Sequence, residues 1–214
     1  IEHLDEITPQ AARIGAVNTI RIDSHGKLIG ANTDAEGFLS DLSANNISWT
    51  TRPALIIGAG GAARAVAFGL AETGCPEITI VNRTEARAKR LAEDLRTVWP
   101  KQLVNVAPWQ RRSAINTPHN CLIVNCTPVG MQGVCTPSGE SMPWPESVPF
   151  QPGQVVADLV YAPLVTPLLA KAREDGAHAL SGLGMLVQQA AMSFAWWTNE
   201  KPPVRQMRAA IQSV

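Results

Sequence analysis

The hydrophobic positions separate the chain into a first region of mixed pattern and a longer region in which two periods alternate. From residue 54 onward, short runs of Leu, Ile and Val recur between segments whose apolar residues are three or four apart. The runs predict buried strands and the spaced segments predict helices. The predicted strands cover 54–58, 77–82, about 103–107, 121–125, 154–159 and 177–180, and the predicted helices cover 61–73, 84–97, 165–175, 183–197 and 203–213. This alternation is typical of a doubly wound α/β fold with a parallel sheet and right-handed crossovers.

The first part of the chain follows a different pattern. Residues 4–14 are compatible with a helix, and residues 16–31 contain two alternating runs on either side of an Asp-Ser-His-Gly turn. The second pattern predicts a β-hairpin.

A short helix follows the hairpin. Thr33 or Asp34 is suited to the N-cap position, because a side-chain oxygen there can accept from a free backbone N–H. The helix is predicted to run to Leu42, and the polar stretch 43–46 is a junction.

Composition and charge exclude several classes of protein. The chain has 214 residues, of which 45% are apolar, and its 18 basic residues balance its 18 acidic residues. A net charge of zero gives no reason to expect binding to nucleic acid or to an anionic membrane. No apolar run reaches the roughly 18 residues of a membrane span, and no signal peptide is recognised, so we expect a cytoplasmic protein.

The four cysteines do not predict a metal site. Cys75, Cys121, Cys126 and Cys135 form no CxxC pair and have no histidine-rich surroundings. Reduced thiols in a cytoplasmic protein are the simpler interpretation, and we predict no metal.

A glycine-rich turn carries the clearest chemical signal. The apolar run 54–57 leads into Gly58-Ala59-Gly60-Gly61-Ala62-Ala63, and a helix of small residues follows. Gly58 allows a tight strand-to-helix turn, Gly60 allows the backbone to approach a pyrophosphate, and the helix N-terminus offers free N–H groups to phosphate. The residues assigned to the cofactor here are Gly58, Ala59, Gly60, Gly61 and Ala62.

The end of the second predicted strand indicates which dinucleotide is bound. NAD-binding proteins usually place Asp or Glu roughly 20 residues after the glycines to hold the ribose 2′-hydroxyl. This chain has Asn82, Arg83 and Thr84 instead. An arginine suits a 2′-phosphate because its guanidinium meets a dianion with two parallel hydrogen bonds. The sequence therefore predicts NADP. Arg87, one helical turn further along the chain, is either a second cation at this site or a plain surface charge.

Residues 127–152 are rich in Pro, Gly and Ser. The segment is too long for a simple connection, and we predict a functional loop.

The motifs together resemble the shikimate dehydrogenase family over nearly the whole chain. The matching segments are 15–19 (GAVNT), 32–34 (NTD), 58–63 (GAGGAA) with 82–84 (NRT), 125–131 (NCTPVGM), and 158–163 (DLVYAP) with 182–189 (GLGMLVQQ). The resemblance implies reversible, NADP-dependent reduction of 3-dehydroshikimate to shikimate, a step of aromatic amino-acid biosynthesis. It also implies two domains with the active site between them.

The resemblance assigns a substrate role to four residues. Asp34 is expected to be the acidic partner of a catalytic lysine, holding that ammonium and the substrate hydroxyl in line for proton transfer. Asn18 is expected to hydrogen-bond the substrate hydroxyls, and Gln189 is the family's substrate-contacting glutamine. Tyr161 follows a strand at the carboxyl edge, where it either lines the site or packs. For Asp34 the alternative is a helix cap, and for Asn18 a turn residue.

The resemblance also extends the cofactor site. Besides Asn82, Arg83, Thr84 and Arg87, it includes residues that follow three later strands. These are Cys126 and Thr127, expected along the ribose and nicotinamide, Val160, and Gly182 with Met185 beside the nicotinamide ring. Met185 could equally belong to the core.

One departure from the family concerns the catalytic lysine. Lys27, Lys89, Lys101, Lys171 and Lys201 all lie outside the family's lysine motif, and we interpret them as surface charges. The motif is expected just upstream of the segment that opens this chain. We therefore expect a piece of a longer enzyme, inactive alone, and a truncated homologue is the alternative.

The expected organisation follows from this comparison. Residues 1–44 would be the last part of a small α/β substrate domain, residues 45–189 a Rossmann-like NADP domain, and residues 190–214 helices that pack back toward the substrate domain. The expected partner is a small molecule, shikimate or 3-dehydroshikimate, and the protein would be a monomer or homodimer. The alternatives are a quinate or amino-shikimate dehydrogenase and a non-catalytic dinucleotide-binding homologue.

Overall fold

The computed structural model describes residues 1–136 and 139–212. Within them the chain alternates strands and helices as the hydrophobic pattern predicts. The strands are β1 (Glu6–Ile7), β2 (Thr19–Ile22), β3 (Leu28–Ala31), β4 (Ala54–Ile57), β5 (Glu77–Asn82), β6 (Leu103–Pro108), β7 (Leu122–Asn125), β8 (Val155–Asp158) and β9 (His178–Ser181). The helices are α1 (Pro9–Ile14), α2 (Asp34–Ala44), α3 (Gly61–Glu72), α4 (Glu85–Val98), α5 (Pro167–Glu174), α6 (Leu183–Thr198) and α7 (Val204–Gln212), with a 3₁₀ helix over Trp109–Ala114. None of these helices combines the length and the apolar character that crossing a membrane requires.

The larger sheet is parallel throughout and confirms the predicted fold class. Its six strands lie in the order β6-β5-β4-β7-β8-β9. The chain first forms β4, β5 and β6 in order toward one edge of the sheet. It then crosses back and adds β7 on the other side of β4, so the direction of strand addition reverses between β4 and β7. Ligands of doubly wound sheets bind at this switch point, beyond the carboxyl ends of the strands. Strands β4, β7 and β8 are buried along their whole length, which explains their unbroken apolar runs.

The smaller sheet contains the predicted hairpin. Strands β2 and β3 pair antiparallel, with Thr19 opposite Ala31. The prediction of a helix over residues 4–14 is only half right, because β1 pairs parallel to β3 and the helix begins at Pro9. Proline cannot donate a backbone hydrogen bond and therefore starts a helix easily. The Thr8 hydroxyl caps this helix by accepting from the Ala11 N–H at 3.3 Å.

The start of α2 also differs from the prediction. Thr33 occupies the N-cap position, but its side chain makes no capping bond. The Asn32 side-chain oxygen instead accepts from the backbone N–H groups of Asp34 and Ala35, at 3.1 and 3.3 Å. The hydroxyl of Thr33 and the carboxylate of Asp34 are thereby available for other contacts.

The long segment after β7 has two parts. Residues 128–136 contribute to a cavity described below, and the later part covers the sheet. Trp144 is 1% exposed and stacks on Phe150, with ring centroids 5.2 Å apart. Residues 142–150 are therefore held against the sheet by aromatic and apolar packing although they form no helix or strand.

A buried carboxylate joins the ends of β7 and β8. Asp158 is fully buried and accepts from the Asn125 amide at 2.8 Å, the Val160 N–H at 3.1 Å and the Thr166 hydroxyl at 2.6 Å. Three donors and no acceptor surround it, which suits the ionised form. Burial nevertheless dominates and raises the pKa of Asp158 from 3.8 to about 6.

This pKa predicts a pH-dependent stability. Because the folded state raises the pKa, the contribution of Asp158 is fully present below the unfolded pKa and is lost as the pH rises through about 6. Each pKa unit corresponds to about 1.4 kcal/mol, so the whole effect is about 3 kcal/mol. We expect the unfolding free energy of the unmodified protein, minus that of Asp158→Asn, to fall by about 1 kcal/mol between about pH 5 and about pH 7.5.

Urea denaturation of both proteins at each pH measures this difference, and other titrating groups cancel in it. A difference that stays constant over this range would contradict the assignment.

Candidate active site

The glycine turn lies at the switch point of the parallel sheet. Gly58 directly follows β4, has φ of +121° and donates its N–H to Val81 at 2.8 Å. A Cβ here would lie 3.1 Å from the carbonyl oxygen of Cys126, so both the backbone conformation and the space favour glycine. Gly60 is the N-cap of α3, and no atom lies within 4 Å of where its Cβ would stand. The first turn of α3 therefore opens onto free space with its N–H groups available.

A cavity of about 370 Å³ extends from this turn along the carboxyl ends of β5, β6 and β7. Nine residues predicted for the cofactor line it, namely Gly58, Ala59, Gly60, Asn82, Arg83, Thr84, Arg87, Cys126 and Thr127. Six others do so as well, namely Trp109, Pro128, Val129, Val134, Cys135 and Thr136. The lining combines the backbone of the glycine turn, two cations and several apolar side chains.

Two arginines in this cavity are available for an anion. Arg83 and Arg87 are both exposed, and neither forms an ion pair with another described residue. The Asn82 amide donates to the carbonyl oxygen of Thr84 at 2.9 Å, which fixes the turn that carries Arg83. Two unpaired guanidinium groups on one turn suit a phosphate.

A second cavity, of about 480 Å³, lies on the other side of the glycine turn. Its lining includes Gly61 and Arg87 from the predicted cofactor set, together with Gly15, Arg64 and Asp94. Arg64 pairs with Asp94 at 2.7 Å and donates to the carbonyl oxygen of Ile14 at the end of α1. The first turn of α3 is thus hydrogen-bonded to the end of α1.

Asn125 holds the loop that follows β7 and lines the first cavity. Its side-chain oxygen accepts from both the N–H and the hydroxyl of Thr127, at 3.0 and 2.7 Å. Its amide nitrogen donates to Asp158. The buried Asp158 therefore fixes, through one side chain, the loop that lines the first cavity.

A smaller cavity of about 250 Å³ brings together the four residues predicted to bind substrate. It is lined by Asn18, Asp34, Ala62, Leu159, Tyr161, Gly182, Met185, Leu186 and Gln189. The smaller sheet, α2 and α6 each contribute to it, and no lysine or histidine does. Ala62, Gly182 and Met185 lie here instead of in the larger cavity, and Tyr161 is 46% exposed.

Hydrogen bonds hold the polar residues of this cavity together. The Asn18 amide nitrogen donates to the Asp34 carboxylate at 2.8 Å and reaches the Gln189 side-chain oxygen at 3.5 Å. The Asn18 oxygen accepts from the Thr33 N–H at 2.9 Å. Asn18 is therefore oriented by the backbone, and its donor points at Asp34.

Asp34 lies in a partly apolar setting. Burial raises the pKa of this carboxyl, and the hydrogen bond from Asn18 opposes the rise. No cation contributes to its pKa. A carboxylate held by a neutral amide at the edge of a cavity can accept a proton or bind an ammonium or hydroxyl group.

The two cavities flank the same glycine turn. Gly58, Ala59 and Gly60 line the larger cavity, and Ala62, in the first turn of α3, lines the smaller one. Cys126 belongs to the larger cavity, and burial raises the pKa of its thiol. Both cavities are therefore built around the start of α3.

Val160 has a different place from the other predicted residues. It is 5% exposed, donates its N–H to Asp158 and lines neither of the two cavities. Its contact with a cofactor remains a prediction.

Sequence reasoning missed three residues. Trp109 follows β6 at the carboxyl edge of the sheet, and the strand-end rule that identified Asn82 and Thr127 could have found it. The Thr33 hydroxyl lies 3.1 Å from that of Ser193 and 3.4 Å from the Gln189 oxygen. These contacts join residues about 160 positions apart, and no local pattern indicates them.

Comparisons with known proteins identify the family of the chain. The family model described as shikimate/quinate 5-dehydrogenase matches residues 41–107, and the model of the shikimate 5′-dehydrogenase C-terminal domain matches residues 182–212. The first match contains the glycine turn and Arg83, and the second contains Met185 and Gln189.

Individual relatives match nearly the whole chain. The NADP⁺ shikimate dehydrogenase of Rhodospirillum rubrum is 42% identical over 99% of this chain and 73% of its own length. Shikimate 5-dehydrogenase of Thermus thermophilus, solved with NADP(H) and shikimate, is 40% identical with a TM-score of 0.81, over 99% of this chain and 73% of its own. Quinate dehydrogenase of Corynebacterium glutamicum, solved with NAD, is 30% identical with a TM-score of 0.85, over 100% of this chain and 73% of its own. The chain belongs to the shikimate dehydrogenase family.

Proposed function

We propose that this chain carries the NADP site and part of the substrate site of a cytoplasmic shikimate dehydrogenase, which interconverts 3-dehydroshikimate and shikimate. One observation supports this most directly. The Asn18–Asp34–Gln189 cluster lines a cavity that borders, at Ala62, the glycine turn, and this turn lines the larger cavity together with two unpaired arginines.

The residues of the larger cavity fit NADP. The open first turn of α3 would hold the pyrophosphate, and Arg83, Thr84 and Arg87 would hold the 2′-phosphate. Cys126 and Thr127 would lie along the ribose, and Met185 would form an apolar wall near the nicotinamide. When bound, NADP(H) accepts or supplies the hydride.

The smaller cavity would hold the substrate. Asn18 and Gln189 offer amide groups to the substrate hydroxyls without adding charge. Asp34 would orient the hydroxyl whose proton moves, together with an ammonium group. Since no lysine lines this cavity, we propose that the ammonium comes from a lysine outside residues 1–214. Residues 1–44 would then be part of a substrate domain, and 45–189 the NADP domain, in a monomer or homodimer.

Quinate is the second candidate substrate. The likeness to a quinate dehydrogenase favours testing it beside shikimate.

Replacing the arginine of the NRT motif should change cofactor preference. A charge-assisted hydrogen bond contributes about 1.5–3 kcal/mol, so Arg83→Ala should weaken NADPH binding roughly ten- to a hundredfold. NADH has no 2′-phosphate, and its affinity should stay nearly unchanged. Fluorescence titration with each cofactor measures both constants, and Lys89→Ala on the following helix α4 serves as the control. Equal affinity of the unmodified protein for NADPH and NADH would refute the assignment.

Removing the charge of Asp34 should lower turnover. In the full-length protein, Asp34→Asn keeps the shape and the acceptor for Asn18 but loses the carboxylate, so we expect kcat for shikimate oxidation to fall about 10²-fold or more. NADPH affinity should change little, because Asp34 lines the other cavity. Glu36→Gln, an exposed carboxylate two residues further, is the matched control. A fully active Asp34→Asn enzyme would reduce Asp34 to a structural role, and activity on quinate alone would select the second substrate.

The source of the proton-transferring lysine can be tested separately. Residues 1–214 expressed alone should bind NADPH, because every residue that we assign to the cofactor lies within them. They should oxidise shikimate at most about 10⁻²-fold as fast as the full-length protein, since general acid–base catalysis and substrate positioning would both be impaired. Steady-state assays of both proteins at equal NADPH-binding capacity measure the ratio. Equal rates would show that the ammonium is not needed or comes from within these residues.

A further inference from the structure

Helix α6 begins in the protein interior without a cap of its own. Its N-cap residue is Gly182, which has no side chain, and Leu183, Gly184 and Met185 of its first turn are all buried. The first N–H groups of a helix have no partner within the helix, and burying them unpaired is costly. A partner must therefore come from elsewhere in the fold.

The carboxylate of Asp41, on the neighbouring helix α2, lies against this first turn. Asp41 is 2% exposed. A Cβ placed on Gly184 would overlap the Asp41 carboxylate, so the carboxylate rests directly on the backbone of that turn. Burial raises the pKa of Asp41, while the Arg208 charge, the Asn45 amide and the Met185 N–H favour its ionised form. An anion at this position also matches the positive end of the helix dipole.

Two further contacts join α2 and α6. A Cβ on Gly37, one turn before Asp41, would lie 2.9 Å from the backbone nitrogen of Gln189. One turn earlier, Thr33 contacts both Gln189 and Ser193. The helices are therefore antiparallel and in close contact, and Asp41 holds the end of this contact where α6 starts.

We propose that Asp41 is a positioning residue, which caps α6 from the neighbouring helix and so holds Gln189 and Met185 in register with Asp34. Asp34 precedes Asp41 by two helical turns, and Gln189 follows Gly184 by little more than one. A small shift of α6 along α2 therefore changes the separation of Gln189 from Asp34, and a misplacement of about 1 Å can lower a rate by about 10²-fold. This inference rests on the proposed function, because Gln189 and Met185 matter only through substrate and cofactor.

The test compares three variants of the full-length protein. In Asp41→Ala the cap is lost, and we expect the KM for shikimate to rise and kcat to fall, lowering kcat/KM about tenfold or more. In Asp41→Asn the amide oxygen can still accept from the helix, so kcat/KM should stay within about threefold of the unmodified protein. Glu36→Ala on the exposed face of α2 is the control and should change neither constant.

Hydrogen exchange provides a readout that does not depend on activity. The backbone amides of residues 185–189 should exchange faster in Asp41→Ala than in Asp41→Asn, because the uncapped turn opens more readily. The stoichiometry of NADPH binding, measured by fluorescence titration, gives the number of folded sites by which kcat is normalised.

A double-mutant cycle separates positioning from general destabilisation. If Asp41 acts through Gln189, adding Asp41→Ala to Gln189→Ala should raise the shikimate KM much less than it does in the unmodified background. Full additivity of the two effects would contradict the proposal.

The remaining outcomes are also decisive. If Asp41→Ala does not fold, Asp41→Ser replaces it, and unchanged kcat and KM per NADPH-binding site in either variant would overturn the proposal. If the unmodified protein binds NADPH but oxidises no shikimate, the proposed function fails instead. Hydrogen exchange at α6 would then still decide whether Asp41 caps the helix.

Discussion

The close contact between helices α2 and α6 is the constraint on which the candidate site depends. Asp34 begins one helix, and Met185 and Gln189 lie on the other. Gly37 and Gly184 have no side chains, and the two backbones can therefore approach closely at these positions. Asp41 and Thr33 place polar groups of α2 and its N-cap against α6. The contact between the two helices thereby holds the smaller sheet beside the carboxyl ends of the parallel strands. In the proposed function, substrate and dinucleotide bind there next to each other.

The parallel sheet provides the second half of the site through its topology. The chain leaves β4 toward one edge of the sheet and β7 toward the other, and at this switch point Gly58 keeps the turn tight against Cys126. Asp158 then fixes Asn125, and Asn125 fixes Thr127. Hydrogen bonds between side chains therefore fix the loop that forms this wall of the cavity.

Three carboxylates around this region share one electrostatic property. Burial raises the pKa values of Asp34, Asp41 and Asp158. Neutral groups donate to Asp34 and Asp158, and the Arg208 charge acts on Asp41 as well. Keeping these carboxylates ionised costs stability, because amides and hydroxyls replace water only partly. Groups with perturbed pKa values concentrate at functional sites, and here Asp158 orients Asn125.

The sequence by itself determined the order and type of nearly all elements, the glycine turn and the arginine-bearing strand end, because these follow from local periodicity and turn chemistry. It misjudged residues 4–14 and the cap of α2, where pairing with a strand 23 residues away and the Asn32 side chain decided the outcome. Only the tertiary structure brought Asp41 to Gly184 and Thr33 to Ser193. Both contacts join helices that lie more than 130 residues apart along the chain, and their energy depends on packing distances that no local pattern contains.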